Sequence, residues 1–296
     1  MRTGKERLGE AMLLICAMIW GGAFIAQSAG MDYIRPFTYS ACRFYVGCLS
    51  ILPLLLISSR KDSDEVKKKS IIGGIVCGIF LFLGNSFQQY GLTMTSPGKA
   101  GFISALYLVF VPLMTAIIFH KKIEKHVILA ILIAVTGFYF LCIKGDFSIQ
   151  MGDLMVLGCA FCFTFQIMGV DYFARFDIDV VMLSFFQFLT TAIISTVFMF
   201  IFDDINIADI IDAKWTILYA GVLSSGVAYT FQVYGQRVVD STVASLLMSL
   251  ESVFSVLFEW LILHTSMSPV ELFGCLLVFI AVIIVQLPSK KEELNV

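Results

Sequence analysis

Phe87-Gln88-Gln89-Tyr90-Gly91 recurs as Phe231-Gln232-Val233-Tyr234-Gly235, 144 positions further along the chain. The same offset, without a gap, pairs Ala100 with Ala244, Leu106 with Leu250, Val109 with Val253, Phe110 with Phe254, Leu113 with Leu257 and Ile118 with Ile262. Ten identities fall in the 33 positions from 87 to 119, where a biased apolar composition gives roughly three by chance. Ser40 and Phe44 fall on Ser184 and Phe188 under this shift, which sets Gln187 opposite Arg43. The pattern reads as an internal duplication.

Composition says what is duplicated. The 296 residues are 59% hydrophobic and 14% charged, with a mean hydropathy of +0.91. A soluble domain clothes its surface with about 25% charged residues, so here lipid must be the main solvent. Ten charge-poor runs cover 11–29, 36–57, 71–93, 100–119, 127–143, 154–170, 180–202, 215–236, 241–263 and 270–287. Each approaches the length of about 20 residues that crosses a hydrocarbon core. Five runs fall in each half, 8–145 and 150–288, and an odd number of crossings turns the second half over. The expected fold is therefore an all-α integral membrane protein of ten transmembrane helices, built as two inverted five-helix repeats.

Loop charge gives the orientation, since Lys and Arg concentrate on the cytoplasmic side. With the N-terminus inside, the inner segments hold Arg2, Lys5, Arg7, Arg60, Lys61, Lys67, Lys68, Lys69, Lys121, Lys122, Lys125, Arg175, Arg237, Lys290 and Lys291. The outer segments hold Arg35, Lys99, Lys144 and Lys214. Fifteen against four puts both termini in the cytoplasm. The first apolar run is too long for the apolar stretch of a signal peptide and nine more follow it, so it reads as an uncleaved helix. A formal net charge of −2 argues against a nucleic-acid partner.

Ionisable groups inside the bilayer are costly, about 2.5–3.5 kcal/mol for a central charge, and read as functional by default. Arg43, Glu251 and Glu259 lie well inside runs, and Glu271 at an end. Glu251 is near a midplane and too short to reach water; it is expected to bind a cationic substrate group or a proton exchanged against substrate, the alternative being a structural pairing. For Arg43 three roles stand open: a substrate carboxylate, a pair with Glu251, or a reach to the outer headgroups. Glu259 reads as a vestibule or structural group. Asn85, Gln88 and Gln89 share one helix face by their spacing, with Tyr229 and Gln232 at equivalent positions in the second half. Amides and phenols offer donors and acceptors without a desolvated charge, which suits a polar organic solute, although such groups also knit helices together. Tyr107 pairs with Glu251 under the repeat, and Trp20 is mid-run, so both join the candidate substrate-binding set. Pro112 is expected to kink its helix, as a gating hinge or as a static bend.

Other chemistry finds little support. Cys159 and Cys162 form a C-x-x-C, but inside an apolar run with no second pair, where Cys behaves as a small hydrophobe. His120, His126 and His264 sit at run ends as solvated loop residues. No Ser-His-Asp set, phosphate-binding glycine loop or metal cluster is present, so neither an enzyme nor a cofactor is expected. Inverted repeats place a site at the repeat interface near the midplane and let the halves rock about it. A secondary carrier of small solutes follows as the expectation, coupled or uncoupled to protons, and ahead of a membrane scaffold.

Trp20-Gly21 in the first run, Arg43-Phe44 in the second and the duplicated halves resemble the EamA branch of the drug/metabolite transporter superfamily, over residues 8–287. The resemblance implies a compact ten-helix bundle in the bacterial inner membrane that moves amino acids or small metabolites, often outward. Family members often place Pro after the helix-nine Glu, where Ser252 follows Glu251 here. They also often carry Gly-Glu after helices four and nine, where this chain reads His120-Lys121 and His264-Thr265.

Overall fold

The computed structural model describes residues 4–58, 63–120, 122–142, 150–264 and 268–285. Arg2, Arg60, Lys61, Lys121, Lys144, Lys290 and Lys291, used above for orientation, lie outside them. The described chain is all helical. Its elements are α1 (Gly4–Gly30), α2 (Pro36–Ser58), α3 (Asp64–Leu92), α4 (Pro97–Ser104), α5 (Tyr107–Phe119), α6 (Lys125–Cys142), α7 (Met151–Ala174), α8 (Val180–Phe202), α9 (Ile207–Asp212) and α10 (Lys214–Leu218). A π-helical segment, Tyr219–Tyr229, leads into α11 (Thr230–Gln236), followed by α12 (Ser241–Met248), α13 (Glu251–Leu263) and α14 (Pro269–Val285).

Among the described residues, seven helices are long and apolar enough to cross a membrane, with α4–α5 and α12–α13 each counted as one; α6 and α14 carry shorter apolar stretches. The run 215–236 is not a plain α-helix but is shared between α10, the π segment and α11. Runs 100–119 and 241–263 are likewise interrupted, at Ala105-Leu106 and at Ser249-Leu250. Pro112 lies inside α5, and the interruption falls before it rather than at it.

Helix ends follow local chemistry. Ser63, Ser96, Asp179 and Asp240 each accept a backbone N–H of the first turn they precede, and Pro97 takes a first-turn position where its missing N–H costs nothing. The exterior is apolar: Leu49, Ile57, Phe200 and Ile201 are all largely exposed. The interior holds the polar groups, including Arg43, Asn85, Gln88, Gln166, Gln187, Gln232 and Glu251. This inside-out distribution is what a lipid solvent selects.

Packing groups α3 with α7 and α8, α2 with α8 and the π segment, α1 with α13, the π segment and α11, and α6 with α14. α2 and α8 run antiparallel and are tied at both ends. At one end Thr38 donates from N and Oγ1 to Asp203 Oδ2 at 2.7 and 2.9 Å. At the other, Ser58 Oγ donates to Asp179 Oδ2 at 2.6 Å and Asp179 N donates to Ser70 Oγ at 2.9 Å. The bounds of α2 and α8 are 144 positions apart at both ends, as are those of α4 and α12 and of α5 and α13.

Candidate functional site

A cavity with about 430 Å³ of free space, some of it open to solvent, lies among these helices. Trp20, Ala23, Phe24 and Gln27 line it from α1, Arg43 from α2, Gln88 from α3 and Tyr107 from α5. Phe163, Gln166 and Ile167 contribute from α7, Ser224 and Tyr229 from the π segment, Gln232 from α11 and Glu251 from α13.

Arg43 is buried, with 2% of its surface exposed, so it does not reach headgroups. Its Nη1 donates to Gln27 Oε1 at 2.5 Å and to Asn85 Oδ1 at 3.2 Å, and its Nη2 to Ser224 Oγ at 3.0 Å. Asn85 is itself held by donating to Ser40 Oγ at 2.6 Å. The guanidinium also lies 4.9 Å from the Phe44 ring centre, while its Nε has no hydrogen-bond partner among the described residues. Three helical segments thus hold it through neutral oxygens. No hydrogen bond or ion pair links Arg43 to Glu251 among the described residues, which removes the Arg43–Glu251 pair expected above as one option.

Glu251 is 5% exposed and is the first residue of α13, just after the interruption. Tyr107 is the first residue of α5, after the matching interruption. Both face the cavity, with the Tyr107 phenol beside the Glu251 carboxyl. Trp20 donates from Nε1 to the Ser224 carbonyl at 3.1 Å, and its ring centre lies 4.8 Å from that of Tyr229.

The structure thus brings together Trp20, Arg43, Gln88, Tyr107, Tyr229, Gln232 and Glu251 from the sequence-derived set. Asn85 stands behind Arg43 and orients it. Gln89 is turned away, buried with Nε2 3.6 Å from Met31 Sδ, so the shared face of Asn85, Gln88 and Gln89 does not line the cavity as a unit. Glu259 sits against Gly98 at the start of α4. Cys159 and Cys162 are free thiols. Among the described residues no group of His, Cys, Asp and Glu could hold a metal.

Sequence reasoning missed Gln27, Gln166 and Ser224. Gln166 and Gln232 exchange amide hydrogen bonds, 3.3 Å one way and 3.1 Å the other, and Gln166 also donates to Gln187 Oε1 at 3.2 Å. Gln27 was legible, since it lies two turns from Trp20 on the same helix face. Gln166 was hidden because α1 and α7 correspond at 143 rather than 144. Trp20, Ala23 and Phe24 lie 143 positions before Phe163, Gln166 and Ile167, and all six line the cavity.

Comparison with known proteins agrees with this architecture. The EamA-like transporter family matches the chain twice, at residues 7–143 and 150–287. An uncharacterized transporter of Archaeoglobus fulgidus is 33% identical over 96% of this chain and 88% of its own length. The uncharacterized transporter YoaV of Bacillus subtilis is 24% identical over 90% and 92%. A solved crystal structure shares the fold with a TM-score of 0.76 at 17% identity, over 96% of this chain and 98% of that one. A multi-pass helical chain whose cavity carries buried polar and charged groups, and which the family matches across both halves, belongs to the EamA-like transporter family.

Proposed function

We propose that the protein is a secondary transporter of the bacterial inner membrane that exports small organic solutes, amino acids or metabolites, by alternating access. Arg43 carries the reading. A guanidinium is always charged, and a buried charge without a counter-charge is costly. Among the described residues its hydrogen-bond acceptors are neutral groups at the cavity, so an incoming carboxylate supplies what the fold withholds. Glu251, which also lines the cavity, binds the cationic group of the same solute or a proton exchanged against it. Trp20, Phe24, Phe163 and Ile167 accommodate an apolar body, and Gln88, Gln232 and the Tyr107 hydroxyl receive polar edges.

Ten crossings in two inverted halves, about residues 8–145 and 150–288, with both termini cytoplasmic, complete the proposal. The matching bounds of α2 and α8, their antiparallel packing and the paired interruptions before Tyr107 and Glu251 support it. So does the cavity itself, whose lining pairs Trp20 with Phe163, Gln88 with Gln232 and Tyr107 with Glu251. Rocking of such halves about a central site exposes it to each face in turn.

The test is uptake of a panel of labelled amino acids and metabolites into liposomes containing the protein, with and without a pH gradient. Saturable flux of at least one carboxylate-bearing solute is expected. Flux of none, from protein that is folded and inserted, overturns the reading.

A further inference from the structure

The helical stretch from Lys214 to Gln236 contains one residue more than 71–92, the matching part of α3. Four close-packed glycines give the count. Gly78 of α3 sits against the Gln187 carbonyl and Thr190 of α8, and Gly221 sits against the Arg43 carbonyl and Val46 of α2. These two glycines occupy matching places and are 143 positions apart. Further along, Gly91 of α3 sits against Val156 and the Gly152 carbonyl of α7, and Gly235 sits against Leu13 and the Gly9 carbonyl of α1. This second pair is 144 apart. One residue has therefore been taken in between Gly221 and Gly235, and the π segment Tyr219–Tyr229 occupies most of that interval. A π turn closes its hydrogen bond over one residue more than an α turn. α3 stays an unbroken α-helix over the corresponding positions.

The added residue decides where Ser224 faces. Its Oγ accepts from Arg43 Nη2 at 3.0 Å and its carbonyl accepts from Trp20 Nε1 at 3.1 Å. The neighbouring Ser225 Oγ turns inward to the Ala220 carbonyl, five residues back. Counted from either side of the insertion, the matching positions in α3 are Phe80 and Leu81, which offer no acceptor side chain. The helix carrying the wider turn thus adds a hydroxyl acceptor for Arg43 to the Asn85 amide that α3 supplies.

We infer that Ser224, set by the extra residue and its π turn, is a positioning residue for the cation of the substrate cavity. It fixes the Arg43 guanidinium through a neutral hydroxyl, leaving the charge for a substrate carboxylate, and anchors the Trp20 ring through its backbone carbonyl. The inference rests on the reading of the cavity as the transport site, and its test separates the two.

Three variants are made in a W215F/W260F background, so that Trp20 is the remaining tryptophan of the three in the chain. Ser224→Ala removes the hydroxyl and keeps the carbonyl. Ser224→Thr returns a hydroxyl. Deletion of Val222 removes the added residue while leaving Gly221 and Gly235 on their partners. Trp20 emission is recorded on purified protein alone and during titration with L-leucine and with L-leucinamide, which lacks the carboxylate. Ser224→Ala is expected to weaken L-leucine about tenfold, the effect of one charge-assisted hydrogen bond, and to leave L-leucinamide within about twofold, with Ser224→Thr restoring L-leucine. Ser224→Ala leaves the emission of the solute-free protein in place, whereas the Val222 deletion shifts it. Equal weakening of both probes, or an unshifted emission in the deletion, overturns the inference. Where the deletion fails to fold, the Ala and Thr pair decides. A parent protein that responds to neither probe counts against the proposed amino-acid-like substrate, and the solute-free emission then decides the positioning claim alone.

Discussion

His120 and His264 end α5 and α13 in the same left-handed conformation, φ 53° and ψ 30° in the first and φ 54° and ψ 29° in the second. They lie 144 positions apart and, among the described residues, are the non-glycine residues with positive φ. A side chain in this region crowds the following carbonyl, which is why helices that stop this way favour glycine. The glycine common at these points in the resembled family has the same physical reason. His120→Gly and His264→Gly should each raise the unfolding midpoint in detergent, by an amount equivalent to about 1 kcal/mol. Thermal melts followed by circular dichroism check it, and a lowered midpoint would mean that the imidazole makes contacts worth more than the strain.

Arg43 should not be replaceable by lysine. Its hydrogen bonds run to Gln27, Asn85 and Ser224 from two nitrogens of one rigid plane, a geometry that a single ammonium cannot span. Arg43→Lys is expected to lower solute flux by at least about tenfold, the effect of losing one charge-assisted hydrogen bond or more. Flux measured in liposomes at equal protein content checks this, and near-parent flux in the lysine variant would reduce Arg43 to a point charge.

Glu251→Gln keeps the shape of the side chain and removes its charge. Flux of a solute bearing an ammonium group should fall at least about tenfold, again the scale of a charge-assisted contact. Any dependence of that flux on an imposed pH gradient should vanish with it. A variant that retains both the rate and the pH dependence of the parent would assign Glu251 a structural role.

Gln166 and Gln232 should behave as a coupled pair. Gln166→Leu strands the Gln232 and Gln187 amides in a buried setting, at a cost of about 1–3 kcal/mol. Gln166→Leu combined with Gln232→Leu should cost less than the sum of the two single changes, with a coupling of about 0.5–3 kcal/mol. A double-mutant cycle on unfolding midpoints measures it, and strict additivity would show that the exchanged hydrogen bonds contribute nothing.

Much of the architecture could be read from residues. The repeated Phe-Gln-x-Tyr-Gly segment carries the same offset as the bounds of α2, α4 and α5 against α8, α12 and α13, because the residue gained between Gly221 and Gly235 is balanced by one fewer between α8 and Gly221. The interruptions before Tyr107 and Glu251 were illegible: Ala105-Leu106 and Ser249-Leu250 contain neither glycine nor proline. The π segment was hidden too, since a wider turn needs one inserted residue and leaves composition unchanged. Single buried charges stood out against an apolar background, so Arg43 and Glu251 were found. Which acceptors would surround Arg43 depended on the meeting of α1, α3 and the π segment, long-range geometry that no local pattern encodes. Gln89 illustrates the converse: it shares a face with Gln88 by spacing, yet one residue of rotation carries it from the cavity to Met31.

Counterflow separates a carrier that alternates between faces from an open pathway. Liposomes containing the protein are loaded with an unlabelled carboxylate-bearing solute that it carries, and entry of the labelled form from outside is followed. A carrier with one cavity exposed alternately to each face predicts transient accumulation of label above the outside concentration in the parent protein, lost in Arg43→Gln. Label that rises only to equilibrium, or accumulation that persists unchanged in Arg43→Gln, would contradict it.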